Sequence, residues 1–222
     1  MDFIIEHHDH IDGDICEAGV FRGRSLLATG LLLKELGSPK QVFGYDTFEG
    51  FPPVYHDKDD LSRFDGLAES GGISAQHYLK VIGNIELRSL DLPEISVANI
   101  SGSGDFSNTA IQDVGRKVKF LGLDNVHLVQ GCFADTMIGN RPFMAALLDC
   151  DLYMSYKTAL PFVWKNLVLG GYIYLDEYYS LKFPGARIAT NEFFATKIDR
   201  PYKHKVRLGD FERWGVRKTY DL

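Results

Sequence analysis

Four acids stand out by position. Glu17, Asp46, Asp149 and Asp176 each lie at, or just inside, the end of a short apolar run: Ile15-Cys16-Glu17-Ala18-Gly19-Val20, Gln41-Val42-Phe43-Gly44-Tyr45, Met144-Ala145-Ala146-Leu147-Leu148 and Tyr172-Ile173-Tyr174-Leu175. One acid after a strand is ordinarily a turn former. Four in the same position, delivered to one edge of a sheet, point to a site. The stretches LLDCDLY and YLDEYY also bring Asp151 and Glu177 to neighbouring strand ends. Three or more carboxylates converging there repel one another unless a cation lies among them. Carboxylate oxygens select a hard ion, Mg2+ or Mn2+ in substitution.

The first apolar run enters a glycine turn, Gly19-Val20-Phe21-Arg22-Gly23-Arg24-Ser25. It lacks the Gly-Lys-Ser/Thr of a P-loop and the full dinucleotide fingerprint. Such a turn lets backbone approach a small ligand closely, and an acid ending the next strand, Asp46, suits ribose hydroxyls. The combination fits a nucleoside-like cofactor without a pyrophosphate. S-adenosylmethionine is the natural candidate, with Glu17 and Gly19 near its amino-acid end. A metal among the acids would then hold adjacent substrate hydroxyls, lower their pKa and align one with an electrophilic methyl group.

These groups need a particular scaffold. After Gly23, residues Leu26, Leu27, Gly30, Leu31, Leu33 and Leu36 repeat near the helical period, and Gly37 is a stop. Strand, glycine turn, helix, strand and terminal acid form half of a doubly wound α/β sheet. Alternation resumes with a strand over Val126–Val129 and the strand ending at Leu148. A helix from about Ser155 to Val168 follows, stopped by Gly170-Gly171, then a strand over Tyr172–Leu175. A helix over Ala189–Ala195 and a closing strand pair between Tyr202 and Tyr220 complete the pattern. The expected fold is Rossmann-like, a single domain over residues 1–222 with a lid or acceptor region at about 54–124. Within that region HDKDDLSRFDG reads as a polar loop or lid. Ser74 reads as the cap of a helix through Ala75, His77, Tyr78, Val81 and Ile82, and SVANISGSGDFSNTA as a mobile connection.

Composition excludes other classes. The 222 residues carry a net charge of -6, which argues against general affinity for nucleic-acid backbones. No apolar run is long enough to span a membrane, and MDFIIEHHDH lacks the order of a signal peptide. A cytoplasmic protein is expected. Cys16, Cys132 and Cys150 are odd in number and widely spaced, as reduced thiols are. His7, His8 and His10 with Asp9 precede the first strand and read as a solvated segment, and Cys150 as packing. His56, His77, His127 and His204 are open candidates for a general base.

Taken together, GDICEAGVFRGRS, GYDTFEGFPP, VQGCFADTM, LLDCDLYMS and LGGYIYLDEYYS with the trailing FPGARIATNEFF resemble the macrocin O-methyltransferase family, over about Gly13–Pro53 and Val126–Phe194. The resemblance implies the class I methyltransferase fold and an S-adenosylmethionine- and magnesium-dependent enzyme that methylates sugar hydroxyls of natural products. It implies that Glu17, Gly19, Val20, Phe21, Gly23 and Ser25 line the methionine side of the cofactor. Asp46 would hold the ribose beside Thr47 and Phe48, and Gly131, Cys132 and Phe133 would border the adenine. Asp149, Asp176 and Glu177 would bind metal, with Asp149 or Asp151 as base and Asp151 otherwise outside the ligand shell. Three departures matter: Asp149-Cys150-Asp151 stands for the usual Asp-Gly-Asp, Asp176-Glu177-Tyr178 for Asp-Asp-Tyr, and Met154 for a usual glutamate.

The expected partner is a small hydroxyl acceptor, glycosylated or free, with a sugar-like or vicinal-diol group, and the resemblance suggests an oligomer of identical chains. Rival readings are a methyltransferase acting on a phenol, catechol or nitrogen, an NAD-binding oxidoreductase, and a non-catalytic module of the same fold.

Overall fold

The computed structural model describes residues 1–205 and 211–220. In chain order the regular elements begin with helix α1 (Asp2–His7), strand β1 (Asp14–Ala18), helix α2 (Arg24–Glu35) and strand β2 (Val42–Asp46). The middle holds a 3-10 turn over Asp57–Asp59 and helices α3 (Arg63–Glu69), α4 (Ala75–Ser89) and α5 (Ile111–Phe120). Then come β3 (Val126–Gln130), α6 (Phe133–Thr136), β4 (Phe143–Leu148), α7 (Tyr153–Asn166) and β5 (Leu167–Leu175). A 3-10 turn over Asp176–Tyr179, α8 (Pro184–Phe194), β6 (Tyr202–Lys203) and β7 (Trp214–Arg217) close the chain.

The strands form one sheet in the order β3-β2-β1-β4-β5-β7-β6. The first five are mutually parallel, and β7 runs antiparallel to both β5 and β6. Strand order reverses beside β1, so the carboxyl ends of β1 and β4 flank the crevice where ligands bind in sheets of this kind.

Both faces are covered. Leu26 and Leu33 of α2 and Val114 of α5 pack with Val42, Val126 and Met144 on one side. Tyr156, Leu160 and Val163 of α7 and Phe194 of α8 pack with Phe143, Leu148 and Ile173 on the other. Each wholly buried leucine contributes about 1.5–3 kcal/mol relative to exposure. This double covering explains why the strands read as continuous apolar runs rather than as alternation.

Several expectations change. Helix α7 ends at Asn166, and Leu167 turns directly into an extended conformation; Gly170 and Gly171 lie inside β5. The polar stretch HDKDDLSRFDG, read as a loop, contains the 3-10 turn and the start of α3, and its Asp59 is buried. The stretch read as a mobile connection buries Val97, Ile100 and Ser101. Ser74 does cap α4, its hydroxyl accepting the His77 amide at 3.1 Å. Of the expected closing strand pair, β6 and β7 are present, and residues 206–210 lie outside the described residues. No helix among the described residues is long and apolar enough to cross a membrane.

Candidate active site

At the end of β1 the chain must turn sharply against β4. The Gly19 amide donates to the Tyr45 carbonyl at 3.0 Å. Gly19 has φ +89°, and a Cβ there would lie 1.7 Å from the Asp149 carbonyl oxygen. Only glycine permits that approach, which presses the first turn of the glycine loop against the acid-bearing turn after β4.

Asp46 fixes the loop from the neighbouring strand. Its Oδ2 accepts the amides of Val20 and Phe21 at 2.7 and 2.8 Å, and its Oδ1 accepts the Phe48 amide at 2.7 Å. The sequence reading gave this carboxylate to ribose. The structure commits three of its roughly four lone-pair positions to backbone, so its first task is to weld two loops together. The donors are available because Phe21 and Phe48 adopt left-handed φ values of +50° and +58°. Such conformations in non-glycine residues cost on the order of 1–3 kcal/mol each and persist where surrounding bonds impose them.

Glu17 is 2% exposed and accepts the Ser25 hydroxyl at 2.7 Å. Burial pushes its pKa up to about 8, with Asp149 and Asp46 adding in the same direction. Gly23, with φ +80°, begins α2. Thr47 accepts the Glu49 amide at 3.2 Å, closing the loop after β2. The Gly131 amide donates to the Asp46 carbonyl at 2.9 Å, which brings the turn of Gly131, exposed Cys132 and half-buried Phe133 beside it. The residues expected to line the cofactor therefore share one rim.

The segment after Ile100 covers part of that rim. Phe51 donates its amide to the Asp105 carbonyl at 2.8 Å, Arg22 Nε donates to the Asn108 carbonyl at 3.1 Å, and the Thr109 hydroxyl donates to the Phe21 carbonyl. Phe106 packs on Phe21 and Phe51 with ring centroids 5.1 and 5.0 Å apart. Sequence composition could not reveal these anchors, because backbone carbonyls accept most of them.

The second half of the site is the acid turn. Asp149, Asp151 and Glu177 each place a side-chain oxygen within 4.8 Å of the others. Asp151 (φ +57°) turns back toward its neighbours from a left-handed conformation. Burial pushes Asp149 up to about 7, with the charge of Asp176 adding to it. Burial raises Asp151 and Glu177 well above the carboxylate range, and their acidic neighbours reinforce the shift. Glu177 Oε2 also lies 2.7 Å from the Tyr156 hydroxyl, itself 2.8 Å from the Leu148 carbonyl. Three hard oxygen donors whose ionisation is opposed by burial and by acidic neighbours suit a divalent cation.

The resemblance puts Asp176 in the ligand set and leaves Asp151 outside or as base. The geometry gathers Asp149, Asp151 and Glu177 most closely; Asp176 adjoins them, and burial raises it while a side-chain hydrogen bond with Glu177, then Arg213, Lys182 and the Tyr174 hydroxyl, oppose that rise. The histidine candidates are engaged elsewhere. His127 contacts Gln41 at 2.9 Å, His204 the Tyr172 hydroxyl at 2.7 Å, and buried His77 the Ser180 carbonyl at 2.7 Å. His56 accepts the Lys58 amide at 3.1 Å and packs on Tyr153. Burial raises the Cys150 thiol well above its ordinary range, which fits packing rather than nucleophilic use. His7, His10 and Asp9 bond to one another on the surface.

Sheet order, crevice and glycine loop define a class: the Rossmann-like fold of class I S-adenosylmethionine-dependent methyltransferases. The chain belongs to the macrocin-O-methyltransferase (TylF) family, which it matches over residues 4–85 and 101–210. That match runs further through the middle than the motifs suggest. The chain is 28% identical over 173 residues to the 8-demethyl-8-(2,3-dimethoxy-alpha-L-rhamnosyl)-tetracenomycin-C 4'-O-methyltransferase of Streptomyces olivaceus, covering 77% of this chain and 54% of the relative. It is 27% identical over 189 residues to the mycinamicin III 3''-O-methyltransferase of Micromonospora griseorubida, covering 83% and 61%. The chain thus spans less than two thirds of the length of these relatives. Among solved structures, the O-methyltransferase NovP superposes with a TM-score of 0.67 at 20% identity, covering 99% of this chain and 76% of NovP.

Proposed function

We propose that this chain is an S-adenosylmethionine-dependent, divalent-metal-assisted O-methyltransferase acting on a sugar-like or vicinal-diol hydroxyl of a glycosylated small molecule. The observation that carries this reading is the meeting of Asp149, Asp151 and Glu177 within 4.8 Å, directly beside the glycine loop that Gly19 presses against Asp149. The two curated relatives are named for methylation at sugar positions, which supports the acceptor class.

In this reading the loop over Gly19, Val20, Phe21, Gly23 and Ser25, with Glu17 beneath it, binds the methionine portion of the cofactor. Asp46 with Thr47 and Phe48 shapes the ribose side, and Gly131, Cys132 and Phe133 border the adenine. Asp149, Asp151 and Glu177 hold the cation, Mg2+ or Mn2+, and Asp176 adds negative charge from beside the trio. Bound there, the cation would supply Lewis acidity toward an acceptor hydroxyl, and the cofactor would supply the methyl group. Asp149, at the meeting of the glycine loop and the acid turn, would be the group to take the hydroxyl proton. The half-buried Phe21, Phe51 and Phe106 rings pack together beside the loop.

A radiolabelled methyl-transfer assay on deoxysugar-bearing acceptors tests this. Turnover is expected with Mg2+ or Mn2+ and loss of turnover in excess chelator, restored by adding the ion back. Equal turnover in chelator contradicts the metal role, and methylation of catechols or amines alone contradicts the acceptor class.

A further inference from the structure

The acid turn has a support that the cofactor and metal assignments leave unexplained. Helix α7 begins immediately after Asp151 and Leu152, and Leu152, its N-cap residue, has no side-chain oxygen to satisfy the first amides. The missing acceptor comes from the middle of the chain. Asp59 Oδ1 accepts the Tyr153 amide at 2.7 Å, and Asp59 is only 2% exposed. Gly185, at the start of α8, makes room for it: a Cβ there would lie 2.0 Å from Asp59 Oδ1 and 2.8 Å from Tyr153 Cβ. The glycine of FPGAR is therefore the notch that admits this carboxylate.

The strap carrying Asp59 is stitched down on both sides. His56 packs at a tilt against Tyr153 with centroids 4.5 Å apart, and Lys58 bonds Glu192 of α8 and, at 3.2 Å, the Tyr153 hydroxyl. From the same helix, Arg187 donates to the Tyr178 carbonyl in the turn that carries Glu177. Strap and α8 thus brace the two turns whose acids meet. Asp151 holds its left-handed φ of +57° two residues before the Asp59 bond. A strained residue keeps its conformation only while its surroundings over-determine it.

We propose that Asp59 is a positioning residue for the acid cluster: by capping α7 from the strap, it holds Asp151 toward Asp149 and Glu177 and ties cation uptake to a seated strap. This rests on the metal reading above. Outer partners that orient metal ligands typically change affinity by about 10–100-fold when removed.

The test is Mn2+ titration of the full chain, followed by the electron paramagnetic resonance of free Mn2+, with S-adenosylhomocysteine affinity and thermal melting measured on the same samples. Asp59→Ala is expected to weaken Mn2+ by about 10–100-fold and leave S-adenosylhomocysteine affinity unchanged. Asp59→Asn, whose amide oxygen still accepts the Tyr153 amide, is expected to restore most of the affinity, and exposed Asp57→Ala to behave as wild type. In turnover, saturating Mn2+ recovers much of the Asp59→Ala loss. If Asp59→Ala fails to fold, Gly185→Ala, which displaces the carboxylate, and Asp59→Asn carry the comparison. Wild-type Mn2+ affinity in Asp59→Ala or Gly185→Ala, even with a lowered melting temperature, overturns the positioning role alone. Absence of Mn2+ binding by the wild type overturns the metal reading and this inference together.

Discussion

The two halves of the site use acids in opposite ways. Around the glycine loop each carboxylate is answered within the chain: Asp46 takes three backbone amides and Glu17 takes the Ser25 hydroxyl. In the acid turn, Asp149, Asp151 and Glu177 face one another, and burial raises all three, with Asp176 adding to Asp149 and acidic neighbours adding to Asp151 and Glu177. The first half is a finished scaffold that presents backbone to a ligand. The second is a charge arrangement that gains most from a ligand of opposite sign. Acids at equivalent strand ends are therefore not equivalent, and the difference lies in which donors the next turn brings to them.

Substitutions separate the two kinds of acid. The largest effect is expected at the acid turn: Asp149→Ala should cut turnover by roughly 10²–10³-fold while S-adenosylhomocysteine affinity, measured by calorimetry, persists. Asp46→Ala should do the reverse. It strands the Val20, Phe21 and Phe48 amides, so stability should fall by about 1–3 kcal/mol in denaturant unfolding, and cofactor affinity should fall with it. A variant that kept full stability would show that the loop holds itself. Asp176→Asn, which changes a group beside the trio, should lower Mn2+ affinity by no more than about tenfold, less than Glu177→Gln does. Equal losses in the two would return Asp176 to the ligand set.

The smallest effect is pH-dependent. Glu17 is raised from 4.5 to about 8 in the folded state. Its contribution to stability is full below 4.5 and is lost as pH rises through about 8. Glu17→Gln removes that loss. In thermal melts the variant should therefore gain on the wild type as pH rises across this window, and a constant difference would show that Glu17 ionises freely.

What the sequence conveyed follows from burial. Strands covered on both faces must be apolar throughout, so Phe143–Leu148 announces itself together with Asp149 just after it. Helix α2 was equally plain, with Leu26, Leu27 and Leu33 on one face and Gly37 just beyond its end. Helices α3 and α5 leave little trace in the sequence because each buries little: Phe64 and Leu67 in one, Val114 in the other. How closely Asp151 approaches Asp149 and Glu177 is illegible for a different reason. It depends on a left-handed φ at a non-glycine residue, where the family pattern has glycine one position earlier, and spacing does not encode backbone sign. Asp59 was hidden because a polar neighbourhood masks a buried acid, and its bonding partner lies 94 residues away.

The most direct measurement is anomalous diffraction from crystals grown with Mn2+ and S-adenosylhomocysteine. The account predicts one manganese peak within bonding distance of Asp149, Asp151 and Glu177, on the side facing the cofactor's sulfur. A peak that leaves Asp151 unliganded would contradict the ligand set, and full occupancy of the cofactor with no peak at these acids would contradict the metal site itself.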